Sequence, residues 1–155
     1  MENEKLTREI IGCAMAVHRI LGPGFLEAVY QNALAHELRK SGMSVECESK
    51  IQVRYDGAIV GNFLADMLID QCVLVENKAV RTLVAAHEVQ LVNYLTATGI
   101  EVGLLLNFGA NRLEFKRKTR TYCSKESRQD ERDKKCKEDK KERSVTHPVN
   151  LVNPV

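Results

Sequence analysis

Apolar residues recur at helical spacing over the first quarter of the chain and at strand spacing thereafter. Ile10, Ala14, Val17 and Leu21 predict a helix over about 7–21, capped by Thr7 and stopped by Gly22-Pro23-Gly24. Leu26, Val29, Tyr30, Ala33, Leu34 and Leu38 predict a second helix over about 26–40, ended by Ser41-Gly42. The two apolar faces should pack together. Val45, Cys47, Ser49, Ile51 and Val53 then alternate with polar residues, as in a strand with one wet face, and Asp56-Gly57 marks a hairpin turn. Residues 58–69, with a bulge at Gly61, and 73–80 are dense enough in apolar residues to be central strands covered on both faces. A helix over 82–98 ended by Gly99, a buried strand over 102–108 and an edge strand over 113–119 complete the pattern. The strand, helix, strand sequence predicts a parallel pair joined by a right-handed crossover.

Charge divides the chain differently. Of 23 Lys and Arg and 21 Asp and Glu, residues 1–115 hold 10 and 14, which leaves 13 and 7 for residues 116–155. A domain over 1–119, acidic as far as residue 115, is therefore expected to carry a charged tail over 120–155, too poor in apolar residues to offset its ordering entropy. No apolar run is long enough to span a bilayer and the N-terminus lacks a signal-peptide pattern, so a cytoplasmic protein is expected. Five cysteines without a CxxC pair fit neither a disulfide framework nor a compact zinc site, and His18, His36 and His87 lack zinc-ligand spacing.

Three charges interrupt the apolar runs: Asp66 in FLADMLI, and Glu76 and Lys78 in VLVENKAV. Burying an unpaired charge costs several kcal/mol unless a partner or a metal offsets it. If a tight turn centred on Gln71 joins the two strands, residues whose numbers total 142 lie opposite each other, and Asp66 faces Glu76. Alternation places Lys78 on the face of Glu76 and turns Asn77 away. Two carboxylates and an ammonium then converge, and a divalent cation between the acids would turn repulsion into attraction. A structural ion-pair cluster bridged by Lys78 is the competing reading.

This order of elements, with Asp66 on the second core strand and Glu76-Asn77-Lys78 on the third, resembles the PD-(D/E)XK nuclease superfamily. GFLEAVY (24–30) looks like the defining motif of its GxxExxY branch, and HEVQLVNYLTATG (87–99) and VGLLLNFG (102–109) are similar to that branch as well. The resemblance covers about 6–118, with Ala65 in place of the proline in the superfamily's name. It implies an α/β nuclease-like core, αβββαβ around a mixed central sheet, preceded by an extra helix. It further implies a catalytic set of Asp66, Glu76, Lys78, Glu27 and Gln90. In that set Asp66, Glu76 and Glu27 bind Mg²⁺, or Mn²⁺ in its place, Lys78 orients the attacking water, and Gln90 supports the site. Tyr30 and Tyr94 occupy the remaining motif positions.

On this reading the protein hydrolyses phosphodiester bonds in DNA, with a protein partner compatible with its acidic domain. Two alternatives stay open: a non-catalytic binding or assembly module that keeps the fold, and a nucleic-acid binder driven by the basic tail. Glu27 as a simple helix N-terminal acid, and Gln90 with Tyr94 as a solvated pair, are the corresponding bland assignments.

Overall fold

The structure, a computed structural model, describes residues 2–120. The expected tail lies outside the described residues.

Helices α1 (Glu2–Leu21) and α2 (Glu27–Lys40) precede strands β1 (Val45–Tyr55), β2 (Ala58–Ile69) and β3 (Val73–Lys78), then α3 (Ala85–Thr98), β4 (Val102–Asn107) and β5 (Glu114–Thr119). The strands form one mixed sheet in chain order, in which β3 and β4 are parallel and the other neighbours antiparallel. The expected α/β architecture is present, extra N-terminal helix included.

Helix α1 begins five residues earlier than the apolar pattern predicts. Thr7 is not its cap: it is buried inside the helix and its Oγ1 donates to the Glu4 carbonyl at 2.9 Å. Exposed Glu4–Arg8 and Lys5–Glu9 pairs support the added turn. Helix α1 and α2 cover one face of the sheet, where Ile10, Ala14, Val17, Leu34 and Leu38 meet Met67, Ile69, Val73, Val75, Leu104 and Leu106. Helix α3 covers the other through Leu91, Tyr94 and Leu95 against Leu68, Leu74 and Leu105. Strands β3 and β4 are thus buried on both faces.

Strand β2 departs from expectation, because only its second half is buried. It has 12 residues and β3 has 6, so among the described residues the first half pairs with β1 alone and leaves Ile59, Val60, Phe63 and Leu64 exposed. The predicted bulge lies beside Gly61: Val53 pairs with Gly61 and Arg54 with Ile59, which leaves Val60 as the extra residue. A second irregularity is opposite Asp66, where Glu48 takes a φ of 54°. Cys47 and Met67 pack on the α1/α2 side while Ile51 and Ala65 pack on the α3 side, although each pair shares a strand parity. A left-handed residue in the strand rotates the faces.

Strand β3 ends two residues early and α3 starts three residues late. Val80 gives its N–H and its C=O to the Asn107 side chain, so the segment after Lys78 does not extend the ladder, while α3 starts only after Val84, an extended N-cap whose N–H donates to His87 Nδ1.

Candidate active site

The turn between β2 and β3 sets the register. Asp70 and Gln71 take φ values of 48° and 59°, and the Cys72 N–H closes onto the Ile69 carbonyl at 3.0 Å, as in a two-residue left-handed hairpin turn. Asp70 is held there by Ser44, whose N–H donates to Asp70 Oδ1 at 2.7 Å. Ile69 then pairs with Val73, Leu68 with Leu74 and Met67 with Val75. One step further along the same register, Asp66 comes opposite Glu76, as the spacing predicts.

At that step side chains replace the backbone ladder. The Asp66 N–H donates to Glu76 Oε1 at 3.1 Å, and the Asn77 N–H donates to Asp66 Oδ2 at 2.7 Å. Among the described residues no donor reaches Asp66 Oδ1 or Glu76 Oε2, so each carboxylate keeps one oxygen free for a ligand. Glu76 is only 3% exposed. Burial, followed by the neighbouring Asp66 charge, pushes its carboxyl up to about 7, and Lys78 opposes the rise. Burial raises Asp66 as well, against the Asn77 N–H and Lys78. Lys78 follows Glu76 on the same face, close enough to act electrostatically on all three acids. Its ammonium makes no ion pair with any of them among the described residues. The Lys78 bridge of the competing reading is therefore not formed.

Glu27 opens α2, with Leu26 at the N-cap in extended conformation. The residue is exposed overall, yet desolvation raises its carboxyl, and its field couples to Lys78, Asp66 and His87. Tyr30 shapes the loop before it. Its ring is fully buried and stacks on Phe108 with centroids 4.8 Å apart. Its hydroxyl donates to the Gly22 carbonyl at 2.5 Å and accepts from the Phe25 N–H at 3.1 Å. The tyrosine of the GxxExxY-like segment is thus the tether of the glycine loop that presents the glutamate.

The structure brings Glu27, Asp66, Glu76 and Lys78 into one electrostatic neighbourhood. It does not gather a three-ligand cage: among the described residues no three His, Cys, Asp or Glu side chains are placed to share one ion. Asp66 and Glu76 are the two acids with facing carboxylates that could serve as donors. Their chemistry fits a hard divalent cation, since Mg²⁺ takes one or two carboxylates and fills its other positions with water. Gln90 instead donates to the Tyr94 hydroxyl at 3.1 Å, and Tyr94 packs against Phe63 at 5.8 Å. That pair faces the sheet, with Tyr94 buried, rather than standing in solvent.

Sequence reasoning missed His87 and Asn107. His87 lies in the first turn of α3, where its Nδ1 accepts from the Val84 N–H at 3.3 Å, and its field reaches Glu27. Nothing in its spacing signals that proximity. Asn107 had a signal, a polar residue closing the otherwise apolar run VGLLL.

No helix among the described residues is long and apolar enough to cross a membrane. No curated protein matches the chain. A solved structure titled "Crystal structure of SSO0001" matches with a TM-score of 0.50 and 19% identity over 63% of this chain, and the match spans about half (52%) of that chain. It supports the fold alone. A family model described as PD-(D/E)XK nuclease superfamily matches residues 4–118. That span takes in all but the first two residues of α1 and the last of β5, together with every residue of the site, and the chain belongs to the PD-(D/E)XK nuclease superfamily.

Proposed function

We propose that the protein is a metal-dependent nuclease of the GxxExxY branch that hydrolyses phosphodiester bonds in DNA. The observation that carries this reading is the Asp66–Glu76 pair, two partly desolvated acids of which Asp66 raises the proton affinity of Glu76, each with an oxygen free among the described residues, beside a lysine that among them neutralises neither by contact. A purely structural cluster would be expected to close its ion pair. Asp66 and Glu76 would hold Mg²⁺ or Mn²⁺, and Glu27 would reach the same ion through water. A divalent ion bound there supplies a water of lowered pKa and positive charge beside the phosphate. Lys78 would orient the attacking water and the scissile phosphate. Gln90, fixed by Tyr94, supports the substrate strand from α3.

Purified protein with Mg²⁺ or Mn²⁺ should cut plasmid and single-stranded DNA, and Asp66→Ala and Lys78→Ala should each lose at least a hundredfold in rate. Equal residual cutting by both variants and the parent marks contamination and ends the reading.

The exposed Ile59, Val60, Phe63 and Leu64 of the β1–β2 hairpin favour a second reading, a module that docks on a protein partner. Calorimetric titration with Mn²⁺ separates the two: heat of binding that Asp66→Ala abolishes belongs to the nuclease.

A further inference from the structure

On the basis of that nuclease reading, we propose that Asn107 is a positioning residue for Lys78, and that its contacts with Val80 and Glu114 set the backbone path from which the lysine projects. Asn107 is fully buried and is the parallel-register partner of Lys78. A carboxamide offers two donors and two acceptor sites, and here all four are engaged. Oδ1 accepts from the Val80 and Gly109 N–H groups, both at 3.0 Å. Nδ2 donates to the Val80 carbonyl at 2.8 Å and to Glu114 Oε2 at 3.1 Å. One side chain thus takes both backbone groups of Val80, replacing the strand neighbour that β3 lacks beyond Lys78.

The next two residues complete the clamp. The Phe108 N–H donates to the Lys78 carbonyl at 2.8 Å. At Gly109 a Cβ would meet Val80 N and O at 2.4 Å, so the two backbones touch where only glycine fits. Lys78 is held from its own carbonyl and from two residues beyond. Phe108 also carries the Tyr30 ring, whose hydroxyl ties the loop leading to Glu27. The Asn-Phe-Gly end of β4 therefore joins the strand end bearing Lys78 to the loop bearing Glu27.

A buried carboxamide is not needed for stability alone, since its four bonds largely return what desolvation removed. What a fully satisfied polar network adds is a single backbone geometry.

The test compares the full chain with Asn107→Asp, with Asn107→Asp/Glu114→Gln and with the milder Glu114→Ala. Asp places an acceptor against the Val80 carbonyl and Glu114. Gln at 114 returns a donor and restores the wild-type net charge, so field effects on Lys78 cancel in the double variant. The first readout is the Cε resonance of Lys78 in ¹³C-lysine-labelled protein, assigned by its absence from Lys78→Ala. The second is cleavage of DNA with Mg²⁺.

The resonance should move in Asn107→Asp and return toward wild type in the double variant. The kcat should fall at least tenfold with KM within twofold, and recover at least threefold in the double. A resonance that stays put in Asn107→Asp, or that moves equally in both, overturns the proposal, as does a moved resonance with unchanged kcat. If the wild type itself cuts nothing, the nuclease reading fails separately and the resonance alone decides whether Asn107 places Lys78. Should Asn107→Asp not fold, Glu114→Ala decides by the same resonance, an unmoved signal counting against the clamp.

Discussion

Glu76 accepts a hydrogen bond from the backbone N–H of Asp66, the residue whose charge most disturbs it. The arrangement holds two like charges together at the point where β2 and β3 stop sharing a backbone ladder. It also sets the acids apart: Glu76 is the more buried, with its carboxyl pushed up to about 7, and Asp66 accepts the shorter N–H bond, from Asn77 at 2.7 Å.

The pH dependence follows from the sign of that shift. An acid whose folded pKa lies above its unfolded value binds its proton more tightly in the folded state, so its contribution to stability is full at low pH and lost as pH rises. For Glu76 the window runs from 4.5 to about 7 and is worth on the order of 3 kcal/mol. Against Glu76→Gln as reference, chelator-treated wild type should lose stability through this window and level off above it. Denaturant titrations at pH 4.5, 6 and 8 measure it, and a difference that is flat with pH would remove the paired-acid argument.

Glu76→Gln should therefore stabilise the metal-free protein at pH 8, by about 1–3 kcal/mol, while abolishing its response to Mg²⁺. Gln can still accept the Asp66 N–H, so the fold keeps that bond. In wild type, 10 mM Mg²⁺ at about that pH should raise Tm by several degrees. A Mg²⁺ shift of equal size in the variant would place the ion elsewhere.

Lys78→Met distinguishes a functional lysine from a structural one. Breaking a buried ion pair costs about 3–5 kcal/mol, but Lys78 makes no such pair among the described residues. The variant should lose no more than about 1 kcal/mol at pH 5, where the acids hold more of their protons, with cleavage lost entirely. Unfolding at half the wild-type denaturant midpoint would show that the lysine bears on stability after all.

Tyr30→Phe keeps the ring on Phe108 and removes the hydroxyl that joins Gly22 to Phe25. The cost should be about 1–3 kcal/mol, because two backbone groups lose their partner. Amide exchange should rise at Phe25 before it rises in the sheet. Uniform acceleration across α2 would mean that the tyrosine acts through packing alone.

Gly109→Ala should be among the most damaging single-methyl additions in the domain. Its Cβ would lie 2.4 Å from backbone atoms of Val80, which have no rotamer in which to move away. Overpacking of this kind costs about 1–3 kcal/mol or more. Gly12→Ala, where a Cβ meets nothing within 4 Å, is the control and should be neutral or stabilising.

The register that pairs Asp66 with Glu76 was legible in the sequence, because a short turn and period-two alternation are local: one loop length fixes every opposed pair. The same holds for the helices, whose apolar stripes at 10, 14 and 17 and at 30, 34 and 38 became their buried faces, although Leu26 and Val29, read onto the second stripe, stay exposed. The end of α3 at Gly99, with φ of 76°, was legible because only the following residue must turn left-handed.

The early end of β3, the exposed half of β2 and the left-handed kink at Glu48 were decided by tertiary structure. Each depends on a partner far along the chain or on the length of a neighbouring strand: Val80 stops the ladder because Asn107, 27 residues later, claims its backbone. The sequence by itself determined which charges would share a strand pair. Whether Lys78 would close on an acid, and how near Glu27 and His87 would come, was left to the packing of α2 and α3 around the sheet, since a side chain's electrostatic partners follow from folded distances and not from spacing along the chain.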